Sequence, residues 1–124
     1  MFENKDIKVI LSEEADEEYQ ELNEVVGEEK KKGIESSFNQ TLLRSINKIK
    51  DLLKKNPFAG NQIPKKQIPK KYIDKYDADN IWRIELANRW RLIYTITGNK
   101  IEIINFILDI LDHKKYDKIF GYKH

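Results

Sequence analysis

Apolar residues recur with two different periods along this chain, and the change of period divides it. Residues 7–12, IKVILS, read as a first strand. Beyond it Ala15, Tyr19, Leu22 and Val26 follow at spacings of three and four, the period of a helix with one buried stripe. Ser12 is a suitable N-cap, and Glu13, Glu14, Asp16 and Glu17 put negative charge in the first turn, where the helix dipole favours it. Gly27 is expected to break this helix. A second helix is predicted from near Glu28 to about Lys55, with Ile34, Phe38, Leu42, Ile46, Ile49 and Leu53 as one long apolar stripe. Asn56-Pro57 ends it, because the residue before proline is pushed out of the helical region.

Between residues 56 and 80 no period is visible. The segment holds a tandem repeat, QIPKK at 62–66 and again at 67–71. Prolines at that spacing exclude a central strand or a helix interior. A long basic connection is predicted, and long loops are more often functional than merely connective. Period two then takes over. In IWRIELA (81–87), Trp82, Ile84 and Leu86 share one face, and Arg83 and Glu85 the other. In RWRLIYTIT (89–97), Trp90, Leu92, Tyr94 and Ile96 oppose Arg89 and Arg91. Asn88 predicts a tight hairpin, and Gly98-Asn99 a second turn. KIEIINFILDI (100–110) is almost continuously apolar, as a central strand buried on both faces is. HKKYDKIFGYKH closes the chain with one or two helical turns.

The predicted fold is a single α+β domain over residues 1–124, in the order β-α-α-β-β-β. A twisted antiparallel sheet carries the two N-terminal helices on one face and a short C-terminal segment. The first strand joins at an edge or beside the last strand. With the helices on the tryptophan face, the arginine face is expected to be open and concave.

Charge sharpens this picture. Residues 1–30 hold eleven acids and three bases, whereas residues 31–124 hold twenty bases and ten acids. A basic body suits a polyanionic partner. Nineteen lysines stand against four arginines, and Arg83, Arg89 and Arg91 lie within nine residues. Guanidinium is planar, always charged and able to hold a phosphate through two parallel hydrogen bonds, which lysine cannot do. There is no cysteine, hence no disulfide and no thiolate chemistry. No apolar run approaches a membrane span of about 20 residues, and MFENKDIKV lacks signal-peptide features. The expectation is a cytoplasmic protein without a membrane partner.

Strand parity puts Arg83, Glu85 and Arg91 on one face, across a hairpin. Such a group suits phosphodiester cleavage by an RNA 2′-hydroxyl, which needs a base, an acid and positive charge on the phosphorane. Arg91 and Arg83 are the candidate phosphate ligands, Glu85 a candidate base, and His113 or Tyr116 a candidate acid or base. Only two histidines occur, and His124 is the last residue, so a histidine pair is not expected. No zinc-ligand spacing or two-metal carboxylate set is present, and no cofactor is expected. Lys65, Lys66, Lys70, Lys71, Lys114, Lys115 and Arg89 are candidate RNA-backbone contacts. Blander roles are available to each: a surface ion pair for Arg91 and Glu85, a strand-end polar residue for His113, and packing of the tail for Tyr116, Phe120 and Tyr122.

The strand–two helices–three strands order, the run WRIELANRWRLIYTI and the closing HKKYDKIFGY together resemble the RelE/ParE toxin superfamily of type II toxin–antitoxin systems. The most specific piece is RWRLIY at 89–94. The resemblance implies that Arg91 contacts the scissile phosphate, that Arg83 is the basic residue one strand earlier, and that Glu85 matches a glutamate base of some relatives. It implies that Tyr116 stacks on RNA or assists proton transfer, with His113 beside it. RelE-like members are mRNA interferases that cut messages without metal, many of them on the ribosome, and are neutralised by an antitoxin. The expected partners are therefore a cognate antitoxin, mRNA and the ribosome. A ParE-like gyrase inhibitor and a non-catalytic nucleic-acid-binding protein of the same fold are the alternatives. This chain departs from the family in Asp112-His113-Lys114-Lys115, where many relatives carry arginine, and in the QIPKK repeat.

Overall fold

The computed structural model describes residues 5–99 and 101–121, which leaves His124 and Tyr122 outside the described residues. Five strands form one sheet: β1 (Asp6–Leu11), β2 (Asn61–Gln62), β3 (Trp82–Glu85), β4 (Arg91–Gly98) and β5 (Glu102–Leu111). Their spatial order is β1-β5-β4-β3-β2. Strands β2 to β5 are antiparallel, as the two predicted hairpin turns require. Strand β1 runs parallel to β5 at the sheet edge, so the sheet is mixed rather than wholly antiparallel. It thus lies both at an edge and beside the last strand.

Helices α1 (Glu13–Lys31) and α2 (Phe38–Lys55) follow β1. The Ser12 hydroxyl caps α1 by accepting from Ala15 N, and donates to Leu108 O at 2.7 Å, which fixes the helix to the sheet. Gly27 does not break α1. Nothing lies within 4 Å of where its Cβ would be, and the helix runs through it at a propensity cost of about 1 kcal/mol. The break comes at Gly33, whose φ of 80° makes it the left-handed residue after the helix end. Ser37 then caps α2 by accepting from Gln40 N. Ile34 therefore falls between the helices, and both it and Phe38 are exposed rather than part of a buried stripe.

The tryptophan face packs on α1 and α2 as expected. Ala15, Leu42, Ile46 and Leu53 meet Leu86, Leu92, Tyr94, Ile107 and Ile110 there, with Trp82, Ile84 and Trp90 at the margin. Asn105, fully buried on β5, donates to Leu53 O at 3.2 Å and so ties the end of α2 to the central strand.

The arginine face is not open. The supposed connection folds into β2, a 3-10 turn at Lys65–Gln67 and helix α3 (Lys70–Tyr76), and the tail forms α4 (His113–Phe120). These cover the second face with a core of Ile63, Tyr72, Ile81, Ile93, Leu108, Leu111 and Tyr116. The two QIPKK copies start different helices. After Pro64 the turn meets Pro69 five residues on and stops, because proline cannot continue the ladder. After Pro69 the chain reads KKYIDKY, which continues to a left-handed cap at Asp77. A bulge in β5 supplies room for this layer. Ile93 pairs with Asp109 but Tyr94 with Ile107, so Leu108 is extra and both Leu108 and Asp109 face α3.

Candidate active site

Arg83 and Arg91 come together on the face that parity assigned them. Within the hairpin Glu85 is opposite Arg91, and Arg83 opposite Ile93. On its other side Arg91 pairs with Leu111, the last residue of β5. Asp112 follows at once and caps α4, accepting from Lys115 N at 2.8 Å. The chain is thereby turned back over the sheet, and Tyr116, one turn into α4, lands against both arginines.

Arg83 Nη1 donates to the Tyr116 hydroxyl at 2.7 Å. The Arg91 guanidinium lies over the Tyr116 ring, 4.6 Å from its centroid, and that of Arg83 is 5.7 Å away. Two like charges tolerate this proximity because the ring's negative face lies near both. Tyr116 is itself 1% exposed and stacks on Phe120 at 4.4 Å between centroids. The phenol is therefore a fixed part of the core as well as a polar group.

Arg91 is only partly spent on the protein. Its Nη1 donates to Arg89 O at 2.9 Å, and its Nη2 lies 3.7 Å from Glu85 Oε1. Its Nε is buried and meets no hydrogen-bond acceptor among the described residues. A buried donor left so costs about 1–3 kcal/mol. Glu85 sits at the rim, with 69% of its side chain exposed. Arg89 occupies the hairpin turn with Asn88, both at positive φ, and is exposed. Its backbone carbonyl, not its guanidinium, orients Arg91.

The remaining candidates are dispersed. His113 lines a shallow groove with Phe38, Asn88, Trp90 and Lys114, at the start of α4. Lys65, Lys66 and Lys70 are exposed on the 3-10 turn and the first turn of α3, on the layer that covers the arginine face. Lys71 is paired with Asp109 at 3.2 Å, and Lys115 with Glu18 at 3.6 Å. These two lysines line a cavity of about 410 Å³ between α1 and α4, which lies apart from the arginines. Its other wall is acidic: Glu14, Glu17, Glu18 and Glu21. Glu14 also accepts from Tyr76 and pairs with Lys75, so α1 clasps α3 across the end of the sheet. Beneath this, Tyr72 donates to Asp109 at 2.9 Å, and burial foremost, with the Asp109 charge, holds its hydroxyl protonated far above the ordinary phenol range.

The sequence reading missed two features. One is this lysine–carboxylate clasp, for which the acidic first turn of α1 was the signal. The other is Phe58, an exposed aromatic in a basic segment. Among the described residues no three His, Cys, Asp or Glu side chains are grouped to hold a metal, and no helix is long and apolar enough to cross a membrane.

No protein-family model matches the sequence, and comparison with curated proteins gives no significant match. Among solved structures, a YoeB/ParE toxin from Agrobacterium tumefaciens is similar, with a TM-score of 0.53. The match covers 86% of this chain and 98% of that one at 16% identity. The chain thus has the fold of that toxin, the α+β fold expected of the RelE/ParE superfamily.

Proposed function

We propose that this protein is the toxin of a type II toxin–antitoxin system, and that it is an endoribonuclease cleaving mRNA. The observation that carries the reading is the convergence of Arg83, Arg91 and Tyr116, on a fold shared with a YoeB/ParE toxin. In the proposed reaction the RNA 2′-oxygen attacks the adjacent phosphorus and the bond to the 5′-oxygen breaks. A 2′,3′-cyclic phosphate and a free 5′-hydroxyl result. Arg91 and Arg83 hold the non-bridging oxygens, whose charge grows in the transition state. Glu85 at the rim takes the 2′-hydroxyl proton, and Tyr116, held by Arg83, gives a proton to the leaving oxygen. His113, on its separate groove, serves RNA or antitoxin contact. Lys65, Lys66, Lys70 and Lys114 hold the RNA backbone.

The cognate antitoxin would cover this basic face, in the cytoplasm. A ParE-like gyrase inhibitor needs no proton-transfer group beside the arginines, so the Tyr116 hydroxyl favours the ribonuclease. Induced expression followed by mapping of mRNA 5′ ends tests the proposal. Cuts are expected with the wild type and none with Arg91→Ala. Intact messages with DNA damage would support gyrase inhibition instead.

A further inference from the structure

The turn that leads into Arg91 has an unfavoured shape and is held from the helix-covered side of the sheet. Asn88 and Arg89 both lie in the left-handed region, at φ 62° and 65°. Trp90 N closes the turn on Ala87 O at 3.2 Å, and Leu86 N donates to Trp90 O at 2.9 Å. Two left-handed residues in succession mark a type I′ hairpin, whose second central position is the usual place of a glycine. Asparagine tolerates that region, whereas the Cβ of an arginine crowds the following carbonyl there. A residue kept in such a conformation needs surroundings that hold it.

Helix α2 holds the turn at two points. Ala87 N donates to Ser45 Oγ at 3.1 Å, and Asn88 Nδ2 donates to Phe38 O at 3.3 Å. The Ser45 hydroxyl gives its own proton to Leu42 O at 2.8 Å, which leaves its oxygen as the acceptor for Ala87. Ser45 and Phe38 are about two helical turns apart and so share one face of α2. The turn in turn fixes Arg91, because Arg89 O accepts from Arg91 Nη1 at 2.9 Å. A second polar contact of the fork, with Glu85, is longer at 3.7 Å and lies at an exposed rim. Relaxation of Arg89 to negative φ would reorient its carbonyl. The aim of the Arg91 fork therefore depends on the turn staying left-handed.

We propose that Ser45, aided by Asn88, is a positioning residue for Arg91: α2 pins the left-handed turn, and the pinned Arg89 carbonyl aims the guanidinium. The inference rests on the ribonuclease reading for what that aim achieves. It extends the site to a side chain on the opposite face of the sheet, which acts through backbone at the sheet's end.

Two measurements test this, one of them independent of cleavage. The chain has four arginines, so heteronuclear NMR resolves few Nε–H signals, and the one lost in Arg91→Lys belongs to Arg91. Arg91 Nε is buried, so its proton is expected to exchange slowly with water. Ser45→Ala and Asn88→Gly are each expected to shift that signal and to speed its exchange about 10-fold. Asn88 is exposed and glycine suits its φ, so Asn88→Gly is the variant least prone to misfold. In the second measurement, single-turnover cleavage of an mRNA that the wild type cuts is followed at saturating protein. Ser45→Ala is expected to slow it about 10- to 100-fold with RNA affinity little changed. In an Arg91→Lys background, where the fork is already gone, the same substitution should slow it less than about 2-fold. An equal loss in both backgrounds makes Ser45 a structural anchor and overturns the proposal. So does an Arg91 signal that neither substitution moves. If the signal responds but the wild type leaves RNA uncut, the ribonuclease reading falls and the link from Ser45 to Arg91 stands.

Discussion

Arg83 donates to the hydroxyl of Tyr116 across 33 residues of sequence, at 2.7 Å, from the strand face that packs under α4. One hydrogen bond thereby links the arginine side of the sheet to the closing helix. Tyr116→Phe removes that bond and leaves the ring under Arg91. Stability is expected to fall by about 1 kcal/mol, and RNA cleavage by about 100- to 10,000-fold if the phenol is the acid. Thermal melting and cleavage rates on one preparation check both. Unchanged cleavage would remove Tyr116 from the chemistry.

Arg91→Lys keeps the charge and discards the planar fork. It loses the bond to Arg89 O and the cation–π contact with Tyr116 together. Cleavage is expected to fall about 100- to 1,000-fold with RNA affinity changed far less, since an ammonium replaces the charge but not the paired donors. Single-turnover rates at saturating protein separate the two quantities.

Gly27 and Gly33 predict opposite signs for the same substitution. Gly27→Ala, in open space within α1, is expected to stabilise the protein by about 0.5–1 kcal/mol. Gly33→Ala, at φ 80°, is expected to destabilise it by about 1 kcal/mol. Denaturant midpoints of the two variants decide whether the α1–α2 turn is as described.

Glu29 binds the start of α2, accepting from Ser37, Asn39 and Gln40. The Ser37 hydrogen bond foremost, then that of Asn39, lowers its pKa below the usual carboxylate value. A carboxylate depressed in the folded state stabilises above its unfolded pKa and loses that contribution as pH falls through the folded value. Acid titration of stability should thus show a loss below about pH 4.5 that is smaller in Glu29→Gln.

The sheet was legible because strand parity is strict. Trp82, Leu92 and Tyr94 against Arg83 and Arg91 allow one assignment of faces, and the fold honours it. The helix-to-strand segment was not legible, because its short elements start at prolines rather than at a repeating apolar pattern. Tyr72 and Ile63 gave no periodic signal, yet they build the second core. That core is why the arginine face is covered rather than open. The register of β5 was hidden for a related reason: a continuous apolar run carries no parity, so the bulge at Leu108 left no mark. The site was half visible. Arg83, Arg91 and Tyr116 meet, whereas His113 lies on another groove, which turns on how Asp112 sets the first turn of α4.

The clasp between α1 and the lysines of α3 and α4 bears on how binding responds to ionic strength. Lys71, Lys75 and Lys115 already face carboxylates, so a phosphate reaching them exchanges one anion for another and frees few counterions. For single strands each neutralised phosphate contributes about −0.7 to the slope of log affinity against log salt concentration. The slope should therefore count the arginines and Lys65, Lys66, Lys70 and Lys114, which have no ion pair among the described residues, and fall short of what twenty bases would suggest. Glu14 and Glu18 of the first helix, and Asp109 of β5, would then act as internal competitors for a polyanion.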